Sequence, residues 1–388
     1  MHIGRMVFAQ LTDLLPRKRF QTLVSRYQGN YKNRGFSCYD QLLTLVFAQL
    51  TYCESLRDIE ACLSAQPTHL HHLGIRGNVR RSTLADANES RDARIFEGLA
   101  QLMMTKARVL YVDDAIGVDL DAMVYAFDST TISLCLALFP WAKFRRHKAA
   151  VKLHTLLDLR GNIPSFILVS TGKMHDVNAL DHLLIEPGAY YLIDKGYIDY
   201  ERLFAFTTAC AFFVTRLKDN AQYRVVESEQ VDKATGLLCD QTIRLTGTAA
   251  SDNYPANLRR VKYRDPDTGN LYEFLTNNLE LPAITITQLY KQRWQVEIFF
   301  KCIKQHLRIK AFFGTTQNAV EVQVWTAIAT YCLLAIAKKH FALDHDMHQI
   351  AQTLRLHLFA KTPVFSLFSK ILPETADYEK YKQLPLFE

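Results

Sequence analysis

Three acids stand out in this 388-residue chain by their surroundings. Asp128 lies in Phe-Asp-Ser-Thr, Asp194 in Ile-Asp-Lys-Gly-Tyr, and Glu297 in a segment with helical spacing. Singly, each has an ordinary role open to it: Asp128 can cap a strand end, Asp194 can open a turn, and Glu297 can be an exposed helix acid. Together they suggest chemistry. Three carboxylates at one point repel unless cations neutralise them, and their hard oxygens suit Mg²⁺ or Mn²⁺. Two such ions, roughly 3.5–4 Å apart, would bind the attacking and leaving oxygens of an in-line phosphoryl transfer. Around Glu297 the spacing is Tyr290-x-x-Arg293-x-x-x-Glu297-x-x-x-x-x-x-Lys304. Steps of 3, 4 and 7 put these side chains on one helical face, where Arg293 and Lys304 can hold phosphates near the acid.

The elements that must position these residues follow from periodicity. Val124–Asp128, Val151–Leu157, Ile163–Val169, Tyr190–Ile193 and Cys210–Arg216 have strand character, while Val177–Leu184 and Asp199–Thr208 have helix character. Three strands, then helix, strand, helix, strand is the order of an RNase H-like α/β sheet. In that sheet Asp128 ends the first strand and Asp194 the fourth, side by side. Residues 218–284 hold turn signals between short strands and are expected to form a β-strand insertion. A long helix is expected from Thr285 or Thr287 to about Lys310, docked by Val296, Phe299 and Phe300. Further helices are expected over Val320–Ala342 and His345–Leu358. The predicted plan is a helical N-terminal DNA-binding domain (1–112), an RNase H-like catalytic domain (113–340) containing the insertion, and a C-terminal helical region and tail (341–388).

The N-terminal residues carry helical faces such as Phe8, Leu11, Leu14 and Leu15, and then Leu42, Leu45, Val46 and Leu50. Ser55 with Asp58 approaches a capping box. Ser82 is the predicted N-cap of the next helix, with Arg80 and Arg81 before it and Arg91 beyond. Helix, glycine-containing turn, helix outlines a helix-turn-helix DNA reader, with a plain helical bundle as the alternative. Arg80, Arg81 and Arg91 are the candidate DNA contacts.

Net charge is +7, and the basic residues cluster. Residues 1–108 hold fifteen Lys/Arg against nine Asp/Glu; Lys143–Lys148 holds four positives and no acid; Lys291–Lys310 holds six positives and Glu297 alone. Three such clusters favour a polyanion partner, and the resemblance described below implies that it is double-stranded DNA. The apolar run around Thr326–Ala337 is expected to be too short for a membrane span, and residues 1–20 lack a signal-like apolar stretch. A cytoplasmic, nucleoid-associated protein is therefore expected. Eight scattered cysteines without a CxxC pair argue against a zinc ribbon, and His69, His71 and His72 lack a second ligand pair.

The Tyr290/Arg293/Glu297/Lys304 helix resembles the YREK signature of bacterial insertion-sequence transposases of the DDE class, insertion-sequence family four. The resemblance extends to the surroundings of Asp128, to Val-Lys-Leu-His154, Lys-Met-His-Asp176 and Asp194-Lys-Gly-Tyr197, to the β insertion and to Ser-Leu-Arg-Asp-Ile-Glu. It covers roughly residues 5–340, with Lys195 standing where relatives often have Arg. It implies that Asp128, Asp194 and Glu297 bind two Mg²⁺ or Mn²⁺ ions and catalyse DNA nicking and strand transfer. Tyr290, Arg293 and Lys304 become contacts to the transposon end, and the active assembly is a homodimer holding two ends. In relatives an aromatic of the insertion stacks on a flipped base; Tyr223 and Tyr254 are candidates, with Trp294 expected in the core. His154 and His175 are either groups behind the acids or structural histidines. The alternative is a domesticated or inactive protein that binds ends without cutting.

The final residues, Gln383-Leu384-Pro385-Leu386-Phe387, resemble the Gln-Leu-x-Leu-Phe motif by which bacterial proteins dock on the DNA sliding clamp. Gln383, Leu384, Leu386 and Phe387 are its candidate contacts. A tail packed back on its own surface is the alternative.

Overall fold

A computed structural model describes residues 4–369 apart from 34, 308, 310 and 311. The expected clamp motif at Gln383, Leu384, Leu386 and Phe387 lies outside the described residues.

Before the first strand the described chain is helical: α1 (Val7–Thr12), α2 (Arg17–Arg26), α3 (Cys38–Thr51), α4 (Leu56–Ser64), α5 (Arg81–Ser90) and α6 (Arg94–Leu110). Ser37 with Asp40 and Ser55 with Asp58 form reciprocal capping boxes that satisfy the first amides of α3 and α4. Ser82 does not cap α5. That helix begins one residue earlier, and Arg80 holds the N-cap position without a side-chain bond. The expected helix-turn-helix is also looser than the motif requires. Residues 65–80, including a 3₁₀ turn at His71–Leu73, separate α4 from α5, where the motif has a turn of about three or four residues.

The strands that follow are β1 (Val124–Leu134), β2 (Lys143–Arg145), β3 (Lys148–Asp158), β4 (Ile163–Thr171), β5 (Tyr190–Ile193) and, after α7 (Tyr200–Thr208), β6 (Phe212–Arg216). Spatially they run β4-β3-β1-β5-β6, antiparallel on the first side of β1 and parallel on the second. This mixed sheet is compatible with an RNase H-like fold. Two details differ from expectation. β1 continues past Asp128 to Leu134 because its ladder with β3 extends that far, and the helix expected over 177–184 is a 3₁₀ stretch, Asp176–His182. The β3–β4 hairpin turns through Gly161 at φ +75°, where a Cβ would lie 2.0 Å from the Tyr111 ring.

The insertion contains β7 (Tyr223–Glu229), β8 (Leu237–Leu245), α8 (Thr248–Asn253), β9 (Leu258–Arg264) and β10 (Leu271–Thr276). Its strands form an antiparallel meander. Because β10 pairs with β6, the meander extends the mixed sheet to ten strands. The expected long helix is broken in two. Pro282 precedes α9 (Ala283–Gln292), Arg293 marks the break, and α10 (Trp294–Lys301) runs into a π turn at Cys302–His306.

Helix α11 (Gln317–His340) is apolar all round and packs against α3, α5, α6 and β4. It is long and apolar enough to cross a membrane, contrary to the expected shortness of that run, yet 94% of its apolar window is buried inside the protein. Such burial is the pattern of a core helix. The expected boundaries at 112 and 340 are not breaks in packing. Tyr111 donates to Ala335 O at 2.9 Å, and Asn318 bonds to the main chain of Asn88, Arg91 and Ala93. The amides of Val7 and Phe8 donate to Ala360 O and Leu358 O, beyond α12 (Met347–His357). One hydrophobic core therefore runs from α1 through α11 to the sheet.

Candidate active site

Asp128 and Asp194 are brought together by the parallel pairing of β1 and β5, in which Phe127 and Ile193 are directly opposite. Each acid follows its partner in that ladder. The Asp194 side chain caps the 3₁₀ turn Lys195–Tyr197, accepting from Gly196 N at 3.1 Å, and Arg216 Nη2 stands 3.9 Å from its Oδ1. Asp128 Oδ1 accepts from Ser129 N at 2.7 Å and from the Tyr197 hydroxyl at 3.4 Å. Tyr197 packs edge-on against Phe127, 5.2 Å between centroids, so the turn after the second acid reaches back to the first.

Glu297 enters from α10, and the break at Arg293 supplies the link. Arg293 donates from Nη1 to Asp128 Oδ2 at 3.1 Å and from Nη2 to Glu297 Oε1 at 2.7 Å. The guanidinium, with its side chain 14% exposed, bridges the first and third acids. Its carbon also lies 5.8 Å from the Tyr290 ring centroid. Burial raises the Asp128 pKa, and repulsion from Asp194 and Glu297 adds to that; the Ser129 amide and Arg293 oppose it.

These oxygens are the hard donors that Mg²⁺ or Mn²⁺ requires, and the bridging guanidinium shows that the acids jointly attract positive charge. Among the described residues, no three His, Cys, Asp or Glu side chains are gathered tightly enough to hold an ion as they stand. The fit is one of donor type and proximity, with Arg293 bonded to one oxygen each of Asp128 and Glu297.

The other expected contacts divide. Tyr290 is half-buried, 5.1 Å from Phe274. Lys304 falls in the π turn, so the extra residue of that turn interrupts the regular spacing from Glu297. Arg80 and Arg81 are exposed. Arg91 is not a free surface cation: it donates to Ser37 O at 3.0 Å, to Gln41 Oε1 at 2.9 Å and to Phe36 O. His154 is buried, with its pKa lowered to about 4 by desolvation, whereas His175 is exposed.

Two of the aromatic expectations, for Trp294 and Tyr254, need correction. Trp294 is 59% exposed rather than in the core. Tyr254 is wholly buried, its hydroxyl 2.6 Å from Thr207 Oγ1, and Tyr223 stacks beneath Arg260. A cavity of about 460 Å³ beside Arg293 is lined by Arg216, Tyr272, Phe274, Tyr290 and Trp294. Sequence reasoning missed it because Tyr272 and Trp294 come from different elements. The alternation of aromatics at 272 and 274 was the available signal.

A family model described as "Transposase DDE domain" matches residues 119–333. The chain belongs to the DDE transposase family. The matched span of the transposase contains all three acids. A second model, "Domain of unknown function (DUF4372)", matches residues 3–76. The transposase is 35% identical over 260 residues to a Sinorhizobium fredii protein named as a transposase, y4zB, covering 66% of this chain and 71% of that one. It is 33% identical over 209 residues to a Geobacillus stearothermophilus protein named as the transposase for insertion sequence element IS5377, covering 53% and 54%. It is 25% identical to a Synechocystis sp. protein named as a transposase for element IS4SA, covering 68% and 74%. Among solved structures, the piggyBac transposase synaptic complex with hairpin DNA aligns over 97% of this chain and 87% of that one, at 8% identity and a TM-score of 0.47, a distant likeness. As a DDE transposase, the chain is a metal-dependent enzyme that cuts DNA and transfers strands.

Proposed function

We propose that this transposase mobilises an insertion sequence, binding the element's terminal inverted repeats and nicking and joining DNA with Asp128, Asp194 and Glu297 as its triad. The carrying observation is the Arg293 bridge between Asp128 and Glu297 beside Asp194 on the adjacent strand. Two Mg²⁺ or Mn²⁺ ions held by the triad would neutralise the acids and stabilise the charge of the phosphoryl transfer. Tyr197 and the Ser129 amide keep Asp128 oriented; Arg216 stands next to Asp194; and Arg293, when released from the carboxylates, can meet a phosphate bidentately. Tyr290 and Lys304 complete the end-facing set, consistent with the YREK class of insertion-sequence family four. The cavity beside Arg293, with exposed Trp294 at its edge, offers an apolar surface for an unstacked base.

Arg80 and Arg81 are proposed phosphate contacts. The working assembly is a homodimer that holds two ends, acting in the cytoplasm on the nucleoid. The Gln383–Phe387 tail is proposed as a contact for the sliding clamp.

The test is cleavage of an end-bearing duplex by Asp128→Ala, Asp194→Ala and Glu297→Ala. Loss of several kcal/mol of transition-state stabilisation predicts a rate lower by about 10³-fold or more. Affinity for the end should stay within a few-fold, because phosphate neutralisation carries it. An acid whose replacement leaves near-native nicking is not in the triad.

A further inference from the structure

Two segments are left unused by the triad: Val-Lys152-Leu-His154 on β3 and Lys-Met-His-Asp176 after β4. The fold joins them. Asp176 Oδ1 accepts from Lys152 Nζ at 3.0 Å and from Ser129 Oγ at 2.8 Å. Lys152 Nζ donates as well to Met174 O at 3.0 Å, and its side chain is only 13% exposed. Ser129 is the residue after Asp128, and its amide makes the 2.7 Å bond to Asp128 Oδ1. Across the β1–β3 ladder His154 lies directly opposite Ser129. That imidazole is buried, 2.9 Å from Ser170 Oγ, with Nδ1 3.8 Å from Asp176 Oδ1.

We propose that the Lys152–Asp176 pair is a positioning unit for the first catalytic acid: it fixes the Ser129 hydroxyl beside that of Tyr197, which donates to Asp128 Oδ1, and so sets the orientation of the Asp128 carboxylate. The inference rests on Asp128 being a metal ligand. The sheet fixes the backbone at Asp128, but a carboxylate still turns about two side-chain bonds, and ligand geometry depends on the groups behind it. Asp176 is suited to that supporting place. Its Oδ1 already accepts two donors, one of them cationic.

The experiment measures Mn²⁺ affinity by electron paramagnetic resonance on the full chain, with thermal unfolding and end-binding in parallel. Asp176→Asn and Ser129→Ala should each weaken Mn²⁺ binding about 10-fold, the scale of lost support behind a metal ligand, with end affinity unchanged. The double variant should be no weaker than the weaker single, because both act through one path. Ser129→Thr, which keeps the hydroxyl, should restore affinity. Three results would overturn the proposal: unchanged affinity in both single variants, multiplying losses in the double, or a far larger loss in Asp176→Asn with none in Ser129→Ala, which would make Asp176 a ligand. Asp128→Ala separates the two levels. If it abolishes Mn²⁺ binding while Ser129→Ala does nothing, the triad stands and the positioning unit falls; if it leaves binding intact, both fall.

Discussion

Arg91 in the helical region and Arg293 in the catalytic region were both expected to meet DNA, and the fold treats them differently. Arg91 donates to the main-chain oxygens of Ser37 and Phe36 and to Gln41, all at the start of α3. Carbonyl groups there need a donor in every folded state, so this guanidinium is part of the architecture. Arg293 donates to two carboxylates, whose charge a metal ion can meet equally well. On the proposed function its bonds exchange without unfolding the chain. The nature of the acceptor, more than burial, distinguishes the two arginines.

The sharpest way to break this contrast is to remove each in turn. Arg91→Ala should lower unfolding stability by about 3 kcal/mol, since several charge-assisted bonds are lost and Phe36 O and the buried Gln41 Oε1 are left without this donor, while Ser37 O keeps the Gln41 amide. Urea titration measures it, and Mn²⁺ should not restore the loss. Arg293→Ala should tighten Mn²⁺ binding several-fold, and Mn²⁺ should recover whatever stability is lost. A deficit in Arg293→Ala that metal leaves untouched would place both arginines in the same class.

A somewhat smaller effect is expected from His154, a buried group of the catalytic region whose partner is a hydroxyl. Its folded pKa of about 4 lies below the ordinary 6.5, so between those values the unfolded chain binds more protons. Its neutral burial therefore supports the fold fully above pH 6.5, and that support is lost as pH falls toward 4. By pH 4.5 the loss should approach about 2.5 kcal/mol. Unfolding curves of the native chain and His154→Gln, taken at pH 7 and 4.5, should show the acid sensitivity diminished in the variant. Equal sensitivity would assign it to other groups.

The least effect belongs to exposed Arg80 and Arg81. Alanine at either should lower duplex affinity a few-fold and reduce the logarithmic salt slope by about one, with no change in melting temperature. Should Arg91→Ala behave the same way, the helical region would have no structural arginine to compare.

Much of the catalytic sheet was legible because strands announce themselves locally. Tyr190–Ile193 is a run of apolar and aromatic residues, and β5 has those same bounds. The proximity of Asp128 and Asp194 followed from strand order. What escaped were contacts between distant residues: Arg293 and Asp128 are 165 positions apart, and no spacing rule links them. The unity of the helices and sheet escaped likewise, since α6 and α11 meet only in space. Arg91 was misplaced because sequence shows a charge but not the carbonyls around it. Trp294 was misplaced because the break at Arg293 changes the face that follows.

The pairing of β10 with β6 makes the insertion a cantilever fixed to the strand next to Asp194's own. Strands in register resist sliding, because a slip of one residue would turn every side chain to the opposite face. Thr276 faces Val214, and Val214 faces Leu192, two residues before Asp194. The far strands are therefore tied to the second acid by unbroken backbone pairing, from β9 through β10 and β6 to β5.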